Sequence, residues 1–207
     1  MPQMSFVNSI SGGGVQISGN AIRDTDSVTG LTPTLPKGKA GTLTTRTDNN
    51  TGVATLGAGH GIVTSDIVDV YWAGGRRYGM TATVSGNDVT IDGGAGDNLP
   101  NQNDPVVVTK QVRINVLIDG DLLAGLALKL EFTDPQSINK GHISFFDDAD
   151  AEVTQLDLSA NEAQAYDIAG GSANPFTGNP ITYAKASNGG SDADGILKLI
   201  LAVDATP

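Results

Sequence analysis

The stretch "HGIVTSDIVDVYWAGGRRYGMTATVSGNDVTIDGGAGDNLP", residues 60–100, decides the fold class. Within it Ile67-Val68-Asp69-Val70-Tyr71-Trp72 is β-branched and aromatic, Ala73-Gly74-Gly75-Arg76 is a turn, and Tyr78 to Val84 runs back. Ser85-Gly86-Asn87-Asp88 then turns the chain into Val89-Thr90-Ile91. Short strands about ten residues apart, joined by Gly-rich turns, predict a small barrel or sandwich.

The texture extends upstream. In "GKAGTLTTRTDNNTGVATL", residues 38–56, Leu43 and Thr45 alternate with Thr44 and Arg46, and Asp48-Asn49-Asn50-Thr51-Gly52 turns into Val53 and Thr55. Downstream, "NLPNQNDPVVV" closes the run, so residues 37–107 are expected to form one β-barrel-like module. Residues 1–36 read as an N-terminal arm with strands: a triple glycine at 12–14, a short alternation at Val15 and Ile17, then Pro33 and Pro36, which confine the segment to an edge or a loop. The arm has too few apolar residues to fold alone.

The third part, residues 108–207, begins on a core strand. Val112, Ile114, Val116 and Ile118 share one face, and Leu126, Leu128, Leu130 and Phe132 share the next. Leu122 to Leu130 also fits a helical period, but Gly120, Gly125 and the alternation out to Phe132 favour a strand. Further strands are expected at 141–146, 153–158 and 181–186. The closing "GILKLILAVDATP" is apolar on both faces and is expected to be central and buried. The predicted fold is all-β: a jelly-roll-like β-sandwich made by 108–207 with the strands of 1–36, into which the small 37–107 module is inserted.

Composition narrows the function. Twelve Lys+Arg against 23 Asp+Glu give a net charge of −11, which disfavours direct contact with nucleic acid or an anionic membrane. There is no cysteine, so thiolate metal sites, cysteine nucleophiles and disulfides are excluded. The first residues lack a signal-peptide pattern and no run approaches a membrane span, so a soluble protein used without translocation is expected.

Candidate chemistry is thin. Arg76 and Arg77, beside Gly74-Gly75 and near Tyr71, Trp72 and Tyr78, suggest an anion site or an arginine stacked on a ring; the favoured reading is a pair on opposite faces of an exposed strand rim. Gly57-Ala58-Gly59-His60-Gly61 is followed by a turn into a strand, whereas a dinucleotide phosphate loop needs a helix there. His60 and His142 lie in neither a nucleophile-elbow nor a zincin context, so no catalytic residue is expected. Asp147, Asp148, Asp150 and Glu152, and separately Asp192 and Asp194, offer oxygen ligands, but neither set matches the twelve-residue calcium loop. Solvated turns are the favoured reading, with a stabilising Ca²⁺ as the alternative, and no metal or cofactor is assigned.

Residues 37–100, with their Gly-Thr-Leu-Thr-Thr-Arg-Thr opening, Gly-His-Gly-Ile element, Val-Tyr-Trp strand end and Ile-Asp-Gly-Gly-Ala-Gly-Asp close, resemble a module of structural proteins of tailed bacteriophages. The terminal "ILKLILAVDATP" is similar to the last strand of the same proteins, and together the two cover about half the chain. The resemblance implies a non-enzymatic virion protein, made in the host bacterial cytoplasm; the arm and the lack of a convincing helix favour, within that class, a capsid decoration (cement) protein binding the major capsid lattice as a trimer or ring. A tail or tail-tube protein is the runner-up within the class. From a different class, a carbohydrate-binding module would need an exposed platform of Tyr71, Trp72 and Tyr78. Phe6, Val7, Ile10, Val15 and Ile17 of the arm, with Arg76 and Arg77, are the expected partner-binding residues.

Overall fold

A computed structural model describes residues 5–6, 19–20, 29–31, 33–118, 126–133, 140–158, 163–167 and 181–203. Val7, Ile10, Val15 and Ile17 lie outside the described residues, and Phe6 is placed by its backbone alone. So does part of the helical alternative at 122–130. The described residues are strands and turns. The N-terminal segment holds β1 (Ser5–Phe6), β2 (Gly19–Asn20), β3 (Thr29–Leu31) and β4 (Thr34–Leu35). Then come β5 (Lys39–Arg46), β6 (Thr51–Leu56), β7 (Ile67–Trp72), β8 (Gly75–Ser85), β9 (Asp88–Gly96) and β10 (Pro105–Lys110). The rest comprises β11 (Val112–Ile118), β12 (Leu126–Thr133), β13 (Gly141–Phe146), β14 (Glu152–Leu158), β15 (Ala163–Asp167), β16 (Ile181–Asn188) and β17 (Gly195–Val203).

Strands β5 to β10 form a closed barrel in the order β10-β5-β6-β9-β8-β7, sealed by antiparallel pairing of β10 with β7. Closure leaves this sheet no free edge. Alternation supplies the filling: Leu43, Ala54, Leu56, Val68, Val70, Met80, Ala82, Val89, Ile91, Val106 and Val108 are all buried within it, and Ile62 and Leu99 plug it from loops. Each Val, Leu, Ile or Met among them contributes about 1.5–3 kcal/mol by leaving water. The β7–β8 turn is tighter than expected, since β8 already begins at Gly75.

Two further sheets follow. One runs β11-β16-β13-β14; the other runs β15-β12-β17-β3, with β4 also pairing to β17. Strand β17 therefore sits between β12 and the N-terminal strands. Its pleat departs from the expectation of burial on both faces: Leu197 and Leu199 are buried, but Ile196 is 40% exposed and Lys198 is exposed. Phe132 of β12 lies against the glycine backbones of Gly141 and Gly195, where a side chain would collide with its ring. That contact brings β12 and β13 together.

Candidate functional site

The barrel meets the four-stranded sheet through polar side chains. On β7 the alternation sends Val68 and Val70 into the barrel and leaves Asp69 and Tyr71 facing the sheet. The sheet answers with His142 and Ser144, two apart on β13 and thus on one face, and with Ser187, paired opposite His142 on β16. Asp69, His142, Ser144 and Ser187 are each 0–1% exposed.

The hydrogen bonds have a definite polarity. As a carboxylate Asp69 only accepts. Its Oδ1 receives Gly79 N–H at 2.9 Å and Gln111 Nε2–H at 2.7 Å. Its Oδ2 receives His142 Nδ1–H at 2.8 Å and the Ser187 hydroxyl. Ser187, having donated, accepts from the Tyr71 hydroxyl at 2.6 Å. Because Asp69 only accepts, His142 Nδ1 carries a proton, and in the tautomer that leaves Nε2 bare the Ser144 hydroxyl donates to it at 2.8 Å. The result is a Ser–His–Asp arrangement built from two strands of different sheets.

Tyr78 covers the imidazole, its ring stacked on His142 at 3.8 Å and 8°. Its hydroxyl donates to Asp157 of β14, which also meets Arg76 Nε at 3.8 Å. Burial, first, and donation to Asp157, second, push the Tyr78 phenol well above its ordinary value. Burial does the same to Tyr71, with Asp69 nearby reinforcing it. The seam continues with Thr109 Oγ1 donating to Asn188 O at 2.7 Å and Lys140 Nζ donating to Trp72 O at 2.5 Å.

Arg77 corrects the expectation of an exposed rim. Only 8% exposed, its guanidinium donates to the carbonyls of Gly93 (2.6 Å), Gly94 (2.9 Å), Gly96 (3.4 Å) and Asp97 (3.0 Å). Gly94 and Gly96 reach this geometry at φ +71° and +118°, which L side chains rarely adopt. A Cβ on Gly94 would stand 2.1 Å from Tyr78 O. The Gly-rich run is thus a carbonyl cradle for the chain's own arginine. Arg76 is half-buried and faces the sheet, where it also donates to Gly141 O at 3.5 Å.

The other candidates are local fasteners. His60 accepts Ile62 N–H at Nδ1 and donates from Nε2 to Gly86 O, tying a loop to the β8–β9 turn. Asp147 caps its own turn through Ala149 N and Ala151 N, while Asp194 accepts from Lys37 N. Among the described residues no group of three His, Asp or Glu is placed to hold a metal ion. Tyr71 and Tyr78 are 1% and 3% exposed, and Trp72 is half-buried against the barrel core, so the three do not form an exposed platform.

Sequence spacing had no means of finding the Asp69–His142–Ser144 set. Asp69 lies 73 residues from His142, and only the docking of barrel on sheet joins them. The one local signal was His142-Ile143-Ser144 itself, an i, i+2 pair on a predicted strand. No protein-family model, no curated protein and no solved structure matches this chain.

Proposed function

We propose that the chain is a structural protein of a tailed-phage virion, a head decoration protein that binds the capsid lattice as a homo-oligomer. The observation that carries the reading is the placement of the N-terminal ribbon. Strands β1 and β2 pair with each other as a two-stranded sheet of their own, with β1 lying beside β11 and no ladder joining them to the barrel or to either larger sheet. Such a ribbon is marginal alone in water and gains its stability by packing on something larger. An arm of this kind suits exchange between neighbouring subunits.

Supporting features agree with it. Among the described residues β14 and β15 are outer strands of their sheets and offer backbone for strand addition. We read the two sheets as the layers of a jelly-roll-like sandwich carrying the barrel as an insertion between β4 and β11. The net charge of −11 keeps free subunits soluble and off the genome.

The test is the solution mass by light scattering at several concentrations, for the full chain and for a variant lacking residues 1–14. A fixed trimer or ring that becomes a folded monomer on truncation supports the decoration role. Open-ended growth favours a tail polymer, and a concentration-independent full-length monomer overturns the assembly reading.

A further inference from the structure

We infer that Ser144 is a base-activated nucleophile and that the cleft above it is an acyl-transfer site for a small ester. The inference goes beyond assembly, does not depend on it, and departs from the expectation that the chain has no catalytic residue. It rests on three observations in the junction of barrel and sheet.

The first is the hydrogen-bonded order already described: Ser144 Oγ to His142 Nε2 at 2.8 Å and His142 Nδ1 to Asp69 Oδ2 at 2.8 Å. Both distances lie within the range in which a general base takes a hydroxyl proton. Asp69 is held by its other three donors, so it orients the imidazole, fixes its tautomer and stabilises the imidazolium that forms. The second is access. A cleft of about 340 Å³, in the size range of small-ligand sites, runs between barrel and sheet, with Tyr78 and Gly94 on the barrel wall and Ser144, Phe146, Gln155 and Lys185 on the sheet floor. Ser144 and His142 both line this cleft, and Ser144 is buried at 1% exposure, which shields its hydroxyl from bulk water.

The third observation is what flanks the serine. In register, Ser144 stands directly between Lys185 of β16 and Gln155 of β14. Side chains directly opposite on one face lie about 5 Å apart at Cβ. Lys185, whose ammonium sits over the Phe146 ring at 4.5 Å, and Gln155 line the cleft beside the serine together with Glu152, and the two donors suit the oxygen that becomes negative when a carbonyl is attacked.

The chemistry balances without a further reagent. Ser144 Oγ adds to the ester carbonyl carbon while its proton passes to His142 Nε2. The carbonyl oxygen takes the negative charge beside Lys185 and Gln155. Collapse breaks the acyl C–O bond, and His142 returns the proton to the departing alcohol. Water, deprotonated by His142, then cleaves the acyl-serine, releasing the carboxylic acid and restoring the hydroxyl.

The experiment uses the full chain. It is incubated with a fluorophosphonate and analysed by peptide mass spectrometry, and its hydrolysis of p-nitrophenyl acetate is followed against Ser144→Ala. A phosphonyl adduct on Ser144, together with at least about a 100-fold loss of ester hydrolysis in Ser144→Ala, is expected. Trp72 fluorescence and circular dichroism confirm that the variant is folded, and Ser144→Cys, which keeps a nucleophile, retains acylation by the ester. An unlabelled Ser144, or equal hydrolysis by wild type and Ser144→Ala, overturns the inference and leaves the hydrogen-bonded set as a fastener. The light-scattering result is independent of either outcome.

Discussion

Along β7, Val68 and Val70 enter the barrel, while Asp69 and Tyr71 enter the junction with the sheet. All four are buried, yet they are stabilised by different physics. The barrel interior is apolar, and its stabilisation is non-directional and proportional to area, so it tolerates changes of shape that conserve volume. The junction holds a carboxylate, an imidazole and several hydroxyls, each stabilised only while its particular partner is in place. One strand thus serves a forgiving core and an exacting one, and the exacting one joins the parts.

The largest expected effect comes from breaking the junction at its centre. Asp69→Ala removes the acceptor of four donors at once and should destabilise the chain by about 3–5 kcal/mol in urea unfolding. A loss below about 1 kcal/mol would mean that the junction is hydrated in solution. In the barrel, Met80→Ala should cost about 2–4 kcal/mol, and Met80→Leu, which conserves volume, less than about 1.5 kcal/mol. The contrast between the two barrel variants measures the tolerance that Asp69 lacks; equal losses would erase the distinction.

Gly94→Ala comes next. It places a Cβ against Tyr78 O at a positive φ and should cost about 1–3 kcal/mol while loosening the carbonyl cradle around Arg77. Unchanged stability with slower hydrogen exchange at Gly94 would contradict it.

The smallest effect separates the regions by pH. Tyr71 and Tyr78 have phenol pKa values raised in the folded chain, chiefly by burial. Their contribution is therefore fully present below about pH 10, where the unfolded phenols are still protonated, and is lost as pH rises beyond it. Stability should fall steadily as pH rises above about 10. Tyr78→Phe should cost about 1 kcal/mol at pH 8 and flatten that alkaline decline. An undiminished slope in Tyr78→Phe would place the sensitivity elsewhere.

How much of this was legible depends on the range of each interaction. The strands that carry Leu43, Val68, Val70, Met80 and Val89 were legible because β-branched runs between Gly-rich turns are signals carried by neighbours in sequence, whereas the shift of register between Leu43 and Thr45, which leaves Thr45 exposed, was not. The glycines at 93, 94 and 96 were legible as a Gly-rich run beside the arginines, but their service to Arg77 within β9 was not. Sequence shows that a glycine tolerates positive φ, and it does not show where the freed carbonyl points. Ile196 was read as buried because apolar character was visible and the neighbouring layer was not.

From its residues alone this chain declared an all-β fold, a Gly-turned module beginning near residue 37, an acidic surface and a strand-rich second part, since each follows from composition and local periodicity. Tertiary structure alone decided that the module closes by pairing β10 with β7, that β3 and β4 join β17, and that Asp69, His142 and Ser144 meet. Those are contacts between residues far apart in the chain. They form because docking buries the surfaces that carry them, and no local pattern encodes which distant donor will find which acceptor.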